Sequence, residues 1–243
     1  MNVTAIIQAR MGSTRLPGKI LKKVEGKPLL AIQLERLQAS KELDQIVIAT
    51  TNEKQDDVIA QFCEVQGINY YRGSEQDVLK RYYEAAKTFG GEIIVRLTSD
   101  CPIIDPQIVD EVIVFYKKNR LIYDYVSNTV ERTYPRGLDT EVFSFKAMEK
   151  AYFEASLESE REHVTLYLHT NPDVFSIGSW KGKEDYSEHR WTVDTPEDFE
   201  LIKLILEKLY LHNPLFSLED TIAVMLQNPT WKKINEHIEQ KKV

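Results

Sequence analysis

The chain begins with a short apolar strand that runs directly into an irregular loop. Residues 3–7 combine apolar and β-branched side chains, a pattern that predicts a buried strand. Gly12, Pro17 and Gly18 interrupt regular hydrogen bonding and indicate a loop at residues 8–19. A buried strand followed by such a loop favours an α/β sheet whose strand ends open onto a ligand site.

Three cations share this loop, Arg10, Arg15 and Lys19. They would not be buried together without anionic partners, because burying an unpaired cation is costly. A ligand with several negative charges, such as a polyphosphate, explains the grouping. The alternative is a solvated surface loop in which the same cations face water.

The loop resembles a known family signature. Residues 8–19 have the sequence Gln-Ala-Arg-Met-Gly-Ser-Thr-Arg-Leu-Pro-Gly-Lys. This is similar to the signature of the cytidylyltransferases that make CMP-activated acidic sugars, the group that contains CMP-KDO synthetase and CMP-sialic acid synthetase. The resemblance extends from residue 3 to about residue 200, and within the group it is strongest to the branch that serves spore coat polysaccharide biosynthesis. It implies a CTP-binding loop at residues 8–19.

The resemblance also implies roles for individual residues. The expected catalytic residues are Arg10, Arg15, Lys19 and Asp100. The expected nucleotide-binding residues are Gln8, Ala9, Arg10, Gly12, Ser13, Thr14, Lys19, Arg72, Thr98 and Ser99. In the loop, glycines let backbone amides approach phosphates and the hydroxyls add further contacts. For Arg72, a structural salt bridge is the alternative to a nucleotide contact.

The bulk composition is that of one ordinary globular domain. With 243 residues, 42% of them hydrophobic and 28% charged, the chain can bury a sizeable core. The net charge of −7 argues against nucleic acid or an anionic membrane as a partner, since both select basic surfaces. We find no run of about 18 apolar residues and no signal peptide, so we expect a cytoplasmic protein. Cys63 and Cys101 follow no metal spacing and are expected to be reduced thiols.

Strand-like runs alternate with amphipathic stretches through the first part of the chain. The predicted strands lie at residues 3–9, 45–49, 69–72 and 92–97, and the predicted helices at about 28–39, 54–66 and 76–88. This βαβαβαβ order predicts parallel strands joined by right-handed crossovers. We therefore expect a Rossmann-like three-layer α/β/α fold with a mostly parallel sheet, which the resemblance refines to the nucleotide-diphospho-sugar transferase type.

The remaining residues are predicted to complete the same domain. We expect a helix from residue 106 to about 118, two helices within 146–170 split near 157–159, strands at 174–180 and 190–193, and a helix at 196–211. Because no linker or repeat divides the chain, residues 1–243 are predicted to form a single nucleotidyltransferase domain. The segment at about 120–180 is the candidate insertion for substrate binding or dimerisation.

Two aspartates complete the expected site, Asp100 and Asp194. Asp100 follows an apolar strand, so it should project at the same sheet edge as the first loop. An acid beside bound phosphates is repelled unless a divalent cation lies between them, which favours Asp100 as a magnesium ligand. The resemblance implies that Asp194 is the second one. Each has a structural alternative, since Asp100 could cap the helix after Pro106 and either Asp194 or Thr195 could cap the next one.

The sugar side of the site is predicted from two segments. The first segment, residues 134–141, contains a cation (Arg136), a glycine turn and two acids (Asp139 and Glu141). This combination suits recognition of a carboxylate and hydroxyls on an acidic sugar. Arg136 is the candidate clamp for the carboxylate, and solvated loop residues are the alternative. His163 shares a helical face with Glu160 and is a further candidate for contact with the sugar. Its segment could instead be a capping box with Ser159 as cap and Glu162 three residues later.

The resulting hypothesis is nucleotidyl transfer, in which a sugar hydroxyl attacks the α-phosphorus of CTP and pyrophosphate leaves. Magnesium and the loop cations would neutralise the charge. The expected partners are CTP and an acidic sugar, and the resemblance implies a homodimer. The residues alone leave three other functions open: a glycosyltransferase that uses a nucleotide sugar, a non-catalytic scaffold that binds nucleotide, and a related nucleotidyltransferase that uses UTP or GTP.

Overall fold

A seven-stranded sheet runs through the computed structural model, which describes residues 1–240. The strands are β1 (Val3–Gln8), β2 (Lys23–Val24), β3 (Lys27–Pro28), β4 (Gln45–Thr51), β5 (Asn69–Gly73), β6 (Ile93–Thr98), β7 (Tyr125–Ser127), β8 (Glu141–Ser144) and β9 (Ile177–Ser179). Their order in the sheet is β5-β4-β1-β6-β8-β7-β9, and β2 and β3 form a separate ribbon. β1 pairs in parallel with both β4 and β6, whereas β8 runs antiparallel to its neighbours β6 and β7. The expected mostly parallel sheet is confirmed.

Helices cover both faces of this sheet. They are α1 (Leu29–Leu37), α2 (Asp57–Gln66), α3 (Val78–Phe89), α4 (Pro106–Asn119), α5 (Phe145–Glu154), α6 (Glu158–Glu162), α7 (Leu166–Thr170), α8 (Pro196–Leu209) and α9 (Leu218–Gln227). Short 3₁₀ turns lie at Lys19–Leu21, Lys54–Asp56 and Pro229–Ile234. None of the helices within residues 1–240 is long and apolar enough to cross a membrane.

The two faces of the sheet have separate apolar cores because side chains alternate along each strand. Ala5 and Ile7 of β1 pack in the core that includes α1, α2, α4, α8 and α9. Ile6, between them, packs in the core that includes α3, α5 and α7. This arrangement is the three-layer architecture that the alternation of strands and helices predicts.

A buried arginine ties the first helix to two distant segments. The Arg36 guanidinium donates hydrogen bonds to the backbone carbonyl oxygens of Ile104 (2.8 Å), Pro214 (2.5 Å) and Phe216 (2.6 Å). It also lies over the Phe216 ring, 4.1 Å from the centroid. α1, the β6–α4 loop and the segment between α8 and α9 are thereby fixed relative to one another.

The structure corrects two predicted elements and adds an unexpected strand to the central sheet. Residues 190–193 were expected to form a strand, but they make one isolated bridge, between Arg190 and Arg136. The N–H of Trp191 donates to the carbonyl of Arg136 and that of Val193 donates to the carbonyl of Asp100, so the pairing passes from one segment to another and no ladder forms. The strand β8 was not predicted. Residues 146–170 contain parts of three helices rather than two, because His163 leaves the helical conformation (φ −107°, ψ 89°) and separates α6 from α7.

The expected insertion at about 120–180 contributes β7, β8 and β9 to the central sheet. Its helix α5 packs on α3, where the rings of Tyr83 and Tyr152 stack with centroids 4.3 Å apart. Much of this segment is therefore part of the core. Its involvement in substrate binding or dimerisation stays a prediction.

Candidate functional site

A cavity of about 920 Å³ opens at the carboxyl ends of β1 and β6. Its size suits a small-molecule ligand, since such sites commonly occupy about 300–1,000 Å³. The expected nucleotide-binding residues that line it are Gln8, Ala9, Arg10, Ser13, Thr14, Lys19, Thr98 and Ser99. The structure therefore brings together most of the residues that the loop signature implied.

The loop after β1 is held by its own backbone and by one buried acid. The carbonyl oxygen of Met11 accepts hydrogen bonds from the N–H groups of Ser13 (2.9 Å) and Gly18 (3.1 Å). Gly18 has a φ of 66°, in the left-handed region that favours glycine. The N–H of Met11 donates to Asp56 (2.7 Å), and the Thr51 hydroxyl donates to the other carboxylate oxygen of this fully buried acid. Asp56 is a positioning residue that the sequence did not reveal.

Lys19 lies between the two predicted magnesium ligands. Its ammonium nitrogen is 3.1 Å from Oδ2 of Asp100 and 2.7 Å from Oδ1 of Asp194. Burial lowers the pKa of Lys19, but the two carboxylates outweigh it, so the net pKa is raised. Burial raises the pKa of Asp100, and the Lys19 ammonium and the Thr98 hydroxyl bring it below its usual value. Lys19 and Asp100 are therefore both charged at neutral pH.

Asp100 is placed by a backbone tie and not by a helix cap. Its carbonyl oxygen accepts from the N–H of Val193 (2.8 Å), which joins the two acid-bearing segments. The cap of α4 is Asp105, whose carboxylate accepts from the N–H of Gln107 (2.9 Å). The alternative reading of Asp100 as the cap of this helix is therefore wrong, and its carboxylate faces the cavity.

Asp194 is likewise not needed as a helix cap. The hydroxyl of Thr195 caps α8 by accepting from the N–H of Asp198 (3.2 Å). Asp194 instead receives two further cations on Oδ2, Arg15 at 3.0 Å and Arg190 at 2.9 Å. The loop cations Arg15 and Lys19 thus meet at one carboxylate, while Arg10 lies 3.5 Å from Glu75 across the cavity.

The chemistry of these donors fits a divalent cation. Two carboxylates approach a single point closely enough for one lysine nitrogen to contact both. Within residues 1–240 no group of three or more histidine, cysteine or acidic side chains could hold a metal by itself. Magnesium suits such a site, because it takes one or two carboxylates and completes its shell with phosphate oxygens and water.

The predicted acids of the sugar side line the cavity, and each is paired with an arginine. Glu141 lies 2.7 Å from Arg96, its cross-strand neighbour on β6. Asp139 receives two parallel hydrogen bonds from Arg132, of 2.6 and 3.0 Å. Arg132 also lines the cavity and was not predicted. These bidentate and cross-strand pairs neutralise both acids.

Arg136 lines the cavity, and no carboxylate of the described part of the chain pairs with it. Its backbone is fixed, because its N–H donates to His189 (3.0 Å) and its carbonyl accepts from Trp191 (2.7 Å). Gly137 follows with a φ of 108°, and a Cβ there would lie 2.6 Å from the Trp191 carbonyl carbon. Among residues 1–240 the guanidinium makes no hydrogen bond or ion pair, and burial, together with neighbouring arginines, lowers its pKa. It is suited to receive an anionic group of a ligand.

His163 lines the same cavity, whereas its neighbour Glu160 acts elsewhere. The Glu160 carboxylate accepts from the N–H groups of Ser156 and Leu157, both at 3.0 Å, at the start of α6. The alternative capping box of Ser159 and Glu162 is therefore wrong, because the helix begins at Glu158 and its reciprocal acid is Glu160.

Two predicted nucleotide-binding residues lie outside the lining of the cavity, Arg72 and Gly12. Arg72 donates to the carbonyl of Thr51 (2.9 Å) and pairs with Asp57 at 2.7 Å. Arg72 therefore forms the structural salt bridge that was the alternative. This arrangement does not support a contact with the nucleotide. A Cβ on Gly12 would lie 3.1 Å from the Gln55 side chain, so this glycine allows close packing within the loop.

A comparison with family models decides the relationship that the loop suggested. Residues 4–227 match the model of the cytidylyltransferase family. The chain belongs to the cytidylyltransferase family. The fold and the resemblance expected from the sequence are both confirmed. CTP is therefore the nucleotide that we consider for the cavity.

The chain is similar to other proteins over most of its length. Spore coat polysaccharide biosynthesis protein SpsF of Bacillus subtilis is 34% identical, with 94% of this chain and 95% of SpsF covered. The 3-deoxy-manno-octulosonate cytidylyltransferase of Geobacter sulfurreducens is 32% identical, with 77% of this chain and 69% of that protein covered. A solved cytidylyltransferase from Leptospira borgpetersenii is 38% identical and superposes with a TM-score of 0.91 over 100% of both chains.

Proposed function

We propose that this cytidylyltransferase transfers CMP from CTP to an acidic sugar, with Mg²⁺ held by Asp100 and Asp194. The observation that carries the proposal is the meeting of these two carboxylates at Lys19, within a loop of the family signature and at the mouth of the cavity. A site with two acids and three loop cations suits the magnesium complex of a triphosphate, in which both signs of charge are needed.

The loop cations have a defined task in this reaction. A sugar hydroxyl attacks the α-phosphorus, a new P–O bond forms, the bond to the β-phosphate breaks, and the hydroxyl proton passes to solvent. Arg10, Arg15 and Lys19 hold the departing pyrophosphate and neutralise the charge that develops on it. Magnesium, when bound, supplies Lewis-acid stabilisation of the phosphate oxygens.

An acidic sugar is proposed because Arg136 lines the cavity as a cation that pairs with no carboxylate within residues 1–240. A planar guanidinium binds a carboxylate through two parallel hydrogen bonds. The Geobacter relative is named for an eight-carbon acidic sugar, and we propose an eight- or nine-carbon sugar here. The name of SpsF supports a product destined for a surface polysaccharide, such as that of a spore coat.

We also propose a homodimer that works in the cytoplasm, where CTP is made. Support for the dimer comes from two exposed apolar side chains at or just after the end of α5. Phe153 is 71% exposed and meets the rings of Tyr83 and Tyr152 edge-on, and Leu157, three residues after α5, is 61% exposed. Exposed neighbouring apolar side chains often belong to an interface. Light scattering of the purified protein tests this, and a Phe153→Ser variant should shift the mass toward the monomer.

The reaction is tested by pyrophosphate release. CTP, UTP, GTP and ATP are each combined with Mg²⁺ and a panel of acidic sugars, and we expect release with CTP and one sugar. Asp100→Asn should abolish it, whereas Asp173→Asn, a change at an exposed acid outside the cavity, should not. Release of a nucleoside diphosphate from a nucleotide sugar would indicate a glycosyltransferase instead. CTP binding without release for any sugar would indicate a scaffold.

A further inference from the structure

The carboxylate Asp194 is held by a network that extends into the C-terminal segment. Arg190 donates from Nη2 to Asp194 (2.9 Å) and to Asp198 (3.1 Å), and from Nε to Asp198 (2.9 Å). Because the guanidinium is planar and rigid, its double hydrogen bond to Asp198 fixes the direction in which Nη2 reaches Asp194. The backbone N–H of Asp194 also donates to Asp198 (3.0 Å).

Asn235 closes this network from a part of the chain that the family match does not reach. Its Nδ2 donates to the carbonyl oxygen of Arg190 (2.9 Å) and to Oδ1 of Asp198 (2.8 Å). The match to the family model ends at residue 227. Asn235 is 3% exposed and Asp198 is fully buried, so these hydrogen bonds are shielded from water. Gln240 adds a contact at the rim, where its Oε1 accepts from Nη1 of Arg190 (2.6 Å).

We propose that Asn235 is a positioning residue for the metal site and acts through Arg190 and Asp198 on Asp194. The inference rests on the proposed function, since it takes Asp194 as a magnesium ligand. Residues that orient the ligands of a metal commonly change metal affinity by about 10- to 100-fold when they are replaced. Without Asn235, the Arg190 carbonyl and one oxygen of Asp198 lose a donor. The Arg190 guanidinium that donates to Asp194 is then less firmly held.

The test compares three variants of the full chain. Asn235→Ala removes both hydrogen bonds of the side chain. Gln240→Ala removes only the exposed contact at the rim and should leave folding intact. Asn228→Ala is the matched control, because Asn228 lies in the same C-terminal part and donates to the carbonyl of Val224 (2.9 Å) without touching the carboxylate network.

Two readouts separate positioning from general stability. We expect Asn235→Ala to raise the Mg²⁺ concentration for half-maximal pyrophosphate release about tenfold, with kcat at saturating Mg²⁺ and KM for CTP within about twofold of the wild type. Titration of Mn²⁺ into the protein with CTP, followed by electron paramagnetic resonance, should show the same loss of affinity. Gln240→Ala should shift both readouts in the same direction by a smaller factor, and Asn228→Ala should shift neither.

The outcomes are distinguishable. If the wild type binds Mn²⁺ with CTP and releases pyrophosphate, but Asn235→Ala and Gln240→Ala match it in metal dependence, the positioning role is wrong and the proposed function stands. The role is also wrong if Asn235→Ala lowers kcat at saturating Mg²⁺ and leaves the half-maximal concentration unchanged. If the wild type shows no metal dependence at all, the proposed magnesium site falls and the positioning role with it.

Discussion

Lys19 is the residue whose replacement tests the electrostatics of the site most directly. Replacing it by methionine keeps the length and apolar stem of the side chain but removes the ammonium between Asp100 and Asp194. The side chains of these three residues are 12%, 24% and 15% exposed, so the lost attraction is only partly screened by water. The two carboxylates would then face each other across the space that the ammonium filled.

The expected cost follows from the remaining partners. Breaking a fully buried ion pair by removing one partner costs about 3–5 kcal/mol. Asp194 retains Arg15 and Arg190, so the uncompensated charge is mainly that of Asp100, and the partial exposure reduces the cost further. We expect the free energy of unfolding to fall by about 2 kcal/mol, which corresponds to a Tm lower by about 4–8 °C in a chain of this size.

Thermal unfolding without nucleotide, first in EDTA and then with Mg²⁺, measures this effect. Lys23→Met is the control, because Lys23 is exposed and pairs with no acid among residues 1–240. Magnesium should raise the Tm of Lys19→Met more than that of the wild type, since it can take the place of the ammonium between the carboxylates. A Tm within about 1 °C of the wild type in EDTA, or no added stabilisation by Mg²⁺, would refute this account of the site.

Three further predictions address other parts of the molecule. Arg136→Ala should raise KM for the sugar about 30-fold while KM for CTP stays constant, because a charge-assisted pair contributes about 2 kcal/mol; steady-state kinetics in each substrate checks the split. Burial raises the pKa of Asp198, but Arg190 brings it below its usual value, so its stabilising effect is present above the unfolded pKa of about 3.9 and is lost as pH falls through the folded value. Urea unfolding between about pH 6 and pH 3 should therefore show a weaker acid dependence for Asp198→Asn than for the wild type. Arg36→Met should lower the free energy of unfolding by about 3 kcal/mol in the same assay at neutral pH, since three backbone carbonyls lose their donor.

The parts of the fold that the sequence predicts well are those with a local signal. The parallel strands β1, β4 and β6 are apolar runs and β5 is a short aromatic one, each next to an amphipathic helix, and their order fixes which loops share an edge. Asp100 and Asp194 could be placed at one site because each was expected to follow a strand. Residues 190–193 form no strand, but the hydrogen bond from the N–H of Val193 to the carbonyl of Asp100 brings Asp194 to the same site.

The missed features depend on contacts between distant residues. β8 has only four residues, and it is a strand because β6 and β7 pair with it on both sides. Asp56 holds Met11 over a separation of 45 residues, and Asn235 reaches Asp198 over 37. Arg72 could be read as a nucleotide contact or as a salt bridge, since the choice depends on the position of Asp57 in space. A single sequence carries no signal for such pairings.

The buried carboxylate of Asp56 has a consequence for ligand binding. Fixing a flexible backbone costs about 1–2 kcal/mol of conformational entropy per residue, and a disordered loop would incur that cost each time a nucleotide bound. Here Asp56 already holds the Met11 amide, and the Met11 carbonyl already accepts from Gly18. The loop is therefore ordered during folding, before any nucleotide binds. A substitution at Asp56 should therefore slow nucleotide association and weaken affinity from a position that never touches the phosphates, because each encounter would then have to order the loop again.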